Sequence, residues 1–338
     1  MTNVLYVGNA LSKKGRTQTT IDTLGYNLKE FCNVRIVSKK RNKILRLIDM
    51  VWAVFRYRTK TDFVLIDTYS TMNFYYALVV SQCCRLLNKN YITILHGGNL
   101  ENRLKNNPKI CQLIFNNAFK LVTPSLFLKT IFENYNYTNL VYIPNSIEIE
   151  NYTFQRHKIE NINLLWVRSF SSIYNPKLAV DVLVDLKNKG HDATLTMIGP
   201  EVDGSLEKVK SYATHKKVDV EFTGKLEKSE WIKKSKNKNV FINTTNIDNT
   251  PISVIEAMAL GLPVVSTNVG GLPFLVQDGK EGLLVEPNNS EAMSHAILKL
   301  FQNEEFVTLL TENARKKVED FDWTLIKLKW QLLLQYNC

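Results

Sequence analysis

The chain has 338 residues, 45% of them hydrophobic, with nine prolines and a net charge of +11. That length suits two domains of ordinary size, each able to bury a large core, and the composition argues against disorder. No run approaches the roughly 20 apolar residues of a membrane span, because the longest candidates, near Val54 and Val79, are interrupted by Arg56, Ser81 and Gln82.

From the start, MTNVLYVGNA lacks a basic leader and an apolar core of signal-peptide length, and reads as a first strand. Short apolar runs then alternate with helical patterns, the arrangement of parallel α/β sheets. In the first half strands are expected at 3–8, 34–38, 62–66, 91–95, 119–122 and 140–143, with helices such as 17–31, 71–87 and 125–134 between them. In the second half strands are expected at 162–167, 193–198, 218–222, 239–243, 263–266 and 282–285, and helices at 304–318 and 323–336 after the break at DFDW. The polar stretch 143–164, with little apolar periodicity, marks the domain boundary. Five cysteines (Cys32, Cys83, Cys84, Cys111, Cys338) have no metal-ligand spacing. They read as reduced thiols of a cytoplasmic protein.

Charge is unevenly shared. Residues 1–145 hold 20 Lys plus Arg against seven Asp plus Glu, net +13, while the remainder is −2. The densest part is 39–60, where Lys43, Arg46, Arg56 and Lys60 recur at helical spacing opposite Ile44, Leu47, Ile48, Val51, Trp52 and Phe55. Two readings stay open: an amphipathic helix at an anionic membrane surface, or a sheet-covering helix with a solvated basic face. Nucleic acid ranks last as a partner, because no nucleic-acid module is present.

Several turns carry polar groups to the ends of predicted strands. In NALSKKGRTQTT a single Gly15, beside Arg16, makes a short turn before a helix that can accept phosphate. In LHGGN, His96 follows a strand, and Gly97 and Gly98 allow close backbone approach at the carboxyl edge of a parallel sheet, where ligands bind. Arg168 ends the first strand of the second half, and Lys177 opens the next helix. The most informative stretch, TTNIDNTPISVIEAMALGLPVVSTNVGGLPFLVQDGKEGLLV, follows Asn243 and ends at Val285. There Thr250 and Pro251 suit the N-cap and first helical position, so first-turn amides face the loop as an anion site. Glu256 lies about one and a half turns in, placed to grip a vicinal diol.

This segment resembles the donor-binding segment of retaining glycosyltransferases of family 4, and the other landmarks fall in the family's order along nearly the whole chain. The resemblance implies a GT-B architecture: two Rossmann-like parallel-sheet domains facing a central cleft, with a C-terminal helix returning to the first. The first domain would be 1–147, on the acceptor side and joined by helix 322–338; the second, 148–321, would bind the nucleotide-sugar donor. In the family two acids bracket the donor loop; Glu256 matches the ribose-binding second, and Asp248 stands at the first, one methylene shorter than the usual Glu. Asn249 and Thr250 also replace the usual residues after it. By the same resemblance Arg168 and Lys177 are the basic pair on the donor diphosphate, Arg168 being the firmer match, and His96 contacts the transferred sugar.

The catalytic set implied is therefore His96, Arg168, Lys177 and Asp248. Gly15, Asn249, Thr250, Pro251, Ile252, Ser253 and Glu256 complete the donor site, and Gly15, Arg16, Gly97 and Gly98 form the acceptor or phosphate loops. The implied reaction is retaining transfer of a sugar from a nucleotide donor to a glycan or lipid-linked acceptor, in cell-surface polysaccharide or glycoconjugate synthesis. No cofactor or metal is required. The only Asp-x-Asp, Asp320 and Asp322, reads as a helix start. The implied location is cytoplasmic, including the cytoplasmic face of the inner membrane. A sugar-nucleotide epimerase of the same architecture and a non-catalytic nucleotide-sugar-binding protein are the alternatives.

Overall fold

A computed structural model describes residues 1–10, 20–157 and 160–335. Gly15 and Arg16 lie outside the described residues. The chain divides into two compact units, Met1–Asn145 with Thr324–Cys338, and Ser146–Trp323.

The first unit is built on six parallel strands: β1 (Thr2–Val7), β2 (Cys32–Val37), β3 (Phe63–Thr68), β4 (Asn90–Leu95), β5 (Lys120–Thr123) and β6 (Leu140–Tyr142). The helices between them are α1 (Thr20–Asn27), α2 (Lys43–Tyr57), α3 (Asn73–Leu86), α4 (Leu100–Asn106), α5 (Pro108–Phe115) and α6 (Leu126–Asn134). Every residue of β3 is buried, as expected of a central strand covered on both faces. The strand order is β2-β1-β3-β4-β5-β6. The chain therefore reverses direction across the sheet between β1 and β3, and a crevice opens there at the carboxyl ends of the strands.

The second unit repeats the plan with β7 (Ile162–Val167), α7 (Pro176–Asn188), β8 (Ala193–Ile198), α8 (Ser205–His215), β9 (Glu221–Gly224), α9 (Lys228–Ser235) and β10 (Val240–Asn243). It continues with α10 (Ile252–Leu260), β11 (Val264–Thr267), α11 (Leu272–Leu275), β12 (Leu283–Val285), α12 (Ser290–Phe301) and α13 (Glu304–Glu319). Its strand order, β12-β11-β10-β7-β8-β9, puts the reversal between β7 and β10. The last helix, α14 (Trp323–Gln335), packs in the first unit, where Lys327 pairs with Glu30 at 2.6 Å.

Two local expectations are corrected. The strand expected at 218–222 starts later, at Glu221, whose ladder partner is Thr196; Val218 and Val220 pack on the core from the preceding loop, and Lys217 holds a positive φ of 55°. Helix α2 is amphipathic, but the face is different. Arg46 is buried, donating from Nε to the Lys40 carbonyl at 2.7 Å, from Nη2 to the Arg41 carbonyl and from Nη1 to Asn9 Oδ1, both at 2.9 Å. The helix turns Arg46, Met50, Ala53 and Val54 inward and leaves Ile44, Leu45, Ile48 and Trp52 in solvent. Each of the three guanidinium nitrogens finds an acceptor in the interior, which is what lets an arginine occupy the buried side.

Candidate active site

In the second unit the reversal between β7 and β10 gathers the residues that follow those two strands. Arg168, directly after β7, pairs with Asp248 Oδ2 in the loop after β10. Its guanidinium also lies 3.9 Å from the centroid of the Tyr174 ring, a cation–π contact that holds the planar group in place. The other carboxylate oxygen, Asp248 Oδ1, accepts from the Asn249 amide at 2.8 Å.

The loop carrying Asp248 is tied on both sides. Trp166 Nε1 donates to Thr244 Oγ1 at 2.9 Å, Thr244 donates onward to the Tyr174 carbonyl at 2.8 Å, and the Asn246 amide donates to the Ile173 carbonyl at 2.8 Å. From the other side, the Gly271 amide donates to the Asp248 carbonyl at 3.0 Å. A Cβ on Gly270 would overlap the Asp248 carbonyl oxygen, and one on Gly271 the Asn249 carbonyl oxygen. The glycine pair after β11 is thus what lets the backbone of 248–249 approach.

Helix α10 begins one residue later than the sequence suggests. Pro251, extended at φ −69° and ψ 117°, is itself the N-cap and has no side-chain cap bond, so Thr250 lies outside the helix. The Pro251 carbonyl takes the Val254 and Ile255 amides, and the amides of Ile252 and Ser253 precede the first intrahelical bond. The anion-site reasoning carries over to these two donors.

Glu256 is 5% exposed. Its Oε1 accepts from the Tyr152 hydroxyl at 2.6 Å and faces Lys228 Nζ at 2.9 Å. Burial, and then the Glu256 charge, hold the Tyr152 phenol well above its ordinary pKa, so it stays a donor. Neither Tyr152 nor Lys228 was among the residues singled out in the sequence, since they lie 104 and 28 positions from Glu256 on other elements. Lys177, near the start of α7, stands apart from this group. Its ammonium lies 4.3 Å from the centroid of the Tyr212 ring on α8, and among the described residues it forms no ion pair.

In the first unit His96, directly after β4, is 6% exposed and brings Nε2 to 2.8 Å from Asp67 Oδ1 at the end of β3. Tyr6 on β1 donates to the same oxygen at 2.9 Å, and the Tyr69 ring stacks on the imidazole at 4.8 Å between centroids. A carboxylate accepts, so the geometry assigns a proton to Nε2. Burial, with the Asp67 charge next, raises the Tyr6 and Tyr69 phenols far above their usual range. The Gly97 expectation changes its reason: a Cβ there would meet nothing within 4 Å, but φ is +82°, so backbone conformation rather than close approach favours glycine. The sequence reading missed Asp67, although an acid closing the apolar run FVLID is the same signal that marks His96.

Among the described residues, five buried side-chain atoms lack a hydrogen-bond partner: Asp67 Oδ2, Thr93 Oγ1, Arg168 Nε, Asn243 Oδ1 and Ser253 Oγ. Buried polar atoms are normally paired, and unpaired ones call for a ligand or a water. Three of the five stand in the second unit at or beside the carboxyl ends of β7 and β10, and Asp67 Oδ2 is at the equivalent edge of the first. Among the described residues no group of three or more His, Cys, Asp or Glu side chains is placed to hold a metal ion.

Residues 150–317 match the family described as glycosyl transferases group 1. The chain belongs to the glycosyl transferases group 1 through this domain. An uncharacterized glycosyltransferase of Methanocaldococcus jannaschii is 30% identical over 156 residues, 46% of this chain and 43% of that protein. The chain thus spans less than half the length of the curated relatives it matches first. As a fold, this group 1 chain superposes on sucrose-phosphate synthase from Thermosynechococcus elongatus with a TM-score of 0.82 at 15% identity, covering 100% of this chain and 99% of that one. Anabaena HepE, solved in complex with UDP and glucose, gives 0.81 at 15% identity over 99% and 100%. The architecture of this group 1 protein is therefore GT-B.

Proposed function

We propose that the protein transfers a sugar from a nucleoside-diphosphate donor to a glycan or lipid-linked acceptor with retention at the anomeric carbon, in the synthesis of a cell-surface polysaccharide or glycoconjugate. One observation carries the reading: Arg168, Asp248, the first-turn amides of α10, and the unpartnered Arg168 Nε, Asn243 Oδ1 and Ser253 Oγ gather at the β7/β10 reversal. That is a built polar site in which a donor (Arg168 Nε), an acceptor (Asn243 Oδ1) and a hydroxyl (Ser253 Oγ) lack protein partners. In this reading the α10 amides and Arg168 take the diphosphate, and Glu256 Oε2 takes the ribose diol while Tyr152 and Lys228 hold Oε1.

As the glycosidic bond breaks, negative charge grows on the departing diphosphate. Arg168, already oriented by Asp248 and Tyr174, stabilises it without reorganisation. Positive charge from Arg168 and the helix amides lets the reaction proceed without a metal. Retention follows from attack on the face the leaving group vacates, with the departing phosphate helping to take the acceptor proton. Asp248, carrying one methylene less than Glu, reaches the donor sugar less far and chiefly aligns Arg168. Lys177 plays a minor part, because its ammonium is placed on Tyr212. The first unit, with His96 and Gly97, takes the acceptor side. The protein acts in the cytoplasm, where nucleotide sugars are made.

UDP and glucose in the Anabaena structure make UDP-hexoses the first donors to test. The experiment is mass spectrometry of the full chain with a panel of nucleotide sugars, with and without a membrane extract as acceptor source. Acceptor-dependent release of nucleoside diphosphate, with an axial or equatorial product matching the donor anomer by NMR, supports the reading. Isomerised nucleotide sugar in the absence of acceptor points to an epimerase, and binding without turnover to a non-catalytic protein; either result overturns it.

A further inference from the structure

Helix α2 carries a surface that the donor chemistry does not use. Over its 15 residues, about 22 Å of helix, the side facing the sheet is Arg46, Met50, Ala53 and Val54. The opposite side presents Ile44 at 70%, Leu45 at 55%, Ile48 at 58% and Trp52 at 55% exposure. A helix normally turns such side chains inward. This one cannot roll over, because Arg46 is pinned by three acceptors and the Asn42 side chain caps the amides of Ile44 and Leu45 at 2.9 and 3.2 Å.

Cations bracket the apolar stripe. Lys43 at its start and Arg56 and Lys60 beyond its end are all exposed, and Asp49 is the only acid in α2. The residues of 1–145 carry a net +13. Of the five tryptophans, Trp166, Trp231, Trp323 and Trp330 are buried, and Trp52 alone is in solvent. Tryptophan prefers the bilayer interface, where an apolar ring and a polar N–H are both accommodated.

We propose that α2 docks the protein on an anionic bilayer, lying in the headgroup region with Ile44, Leu45, Ile48 and Trp52 inserted and the flanking cations on lipid phosphates. Charge complementarity selects this occupant. Cations at both ends of an apolar stripe match a surface that offers anions all around inserted apolar groups. The proposal stands on the exposed face of α2 and is independent of the transferase reading.

The test uses the full chain with vesicles of phosphatidylcholine alone or with equimolar phosphatidylglycerol, read by flotation and by intrinsic fluorescence, in which Trp52 is a built-in probe. Anionic vesicles should bind and blue-shift the emission, and neutral vesicles should bind at least tenfold more weakly. Lys43→Gln/Arg56→Gln/Lys60→Gln should reduce partitioning by on the order of a hundredfold, since each cation near such a surface contributes a comparable increment. Ile48→Ser should abolish the blue shift, and Trp52→Phe should remove the fluorescence change while flotation persists. These positions are exposed, so unchanged circular dichroism and thermal midpoint will verify folding, whereas Arg46 is left intact because it holds the interior. Equal binding to neutral vesicles, no binding, or full binding by the triple variant overturns the proposal. So does a vesicle-free dimer that Ile48→Ser dissolves, which would make the face a contact between copies.

Discussion

Substituting Glu256 with Gln keeps the shape of the side chain and removes its charge. The buried carboxylate has both protein neighbours on Oε1, Tyr152 at 2.6 Å and Lys228 at 2.9 Å, so in the proposed site Oε2 takes the nucleotide ribose. A hydrogen bond to a charged group is worth about 1.5–3 kcal/mol and a neutral one about 0.5–1.5. The difference, about 1–1.5 kcal/mol per ribose bond, corresponds to a rise in Kd of about tenfold for one hydroxyl and toward a hundredfold for both. Folding should be little affected, because the amide oxygen still accepts from Tyr152, and Lys228, half exposed, loses a contact of small worth. Calorimetric titration with UDP, beside thermal melts, separates the two effects. Tyr152→Phe provides the control: it keeps the charge but removes the hydroxyl that steadies the carboxylate, so Kd should rise by less than in Glu256→Gln. An unchanged Kd in Glu256→Gln, with the protein folded, refutes the ribose assignment.

Arg168→Ala should lower kcat by on the order of a hundredfold or more at saturating donor while binding falls less, because a stabiliser of developing charge is lost; an intact kcat would reduce Arg168 to a structural partner of Asp248. Asp67→Asn should release the His96 tautomer, seen as a mixed Nε2–H and Nδ1–H population by imidazole 15N NMR, and should lower kcat more than it changes the donor KM; a single retained tautomer would show that Asp67 does not set it. Stability should fall as pH climbs above about 10, the ordinary value for a phenol, because the folded state holds Tyr152, Tyr6 and Tyr69 protonated and Tyr137 is pushed up to about 12. The unfolded chain releases those protons first, so the loss starts at the unfolded value and continues through the folded ones; ring NMR shifts showing Tyr6, Tyr69 or Tyr152 ionised while the protein is still folded would contradict this.

The strands and most helices were legible because their information is local. Continuous apolar runs such as FVLID and VFIN, cut by polar turns, are what a parallel strand buried on both faces looks like, and the C-terminal helices announced themselves by periodicity. Glu256, the glycine pair and His96 were legible for the same reason, as a motif within one stretch or a polar residue closing a strand. The face of α2 was misread because a helical wheel ranks residues by polarity, and polarity alone placed Arg46 outside. Carbonyl acceptors at Lys40 and Arg41 and the side chain of Asn9 reverse that choice.

By itself, then, the sequence determined which segments are strands and helices, and which side chains stand at strand ends. Partnership was decided by the tertiary structure. Arg168 meets Asp248 across 80 positions, Tyr152 meets Glu256 across 104, and Tyr6 and His96 converge on Asp67 from 61 and 29 positions away. No periodicity spans such separations. Arg168 meets Asp248 and Tyr6 meets Asp67 because each sheet reverses its strand order, between β7 and β10 in one unit and between β1 and β3 in the other, while His96 reaches Asp67 because β4 lies beside β3, so that residues at the carboxyl ends of neighbouring strands share one edge.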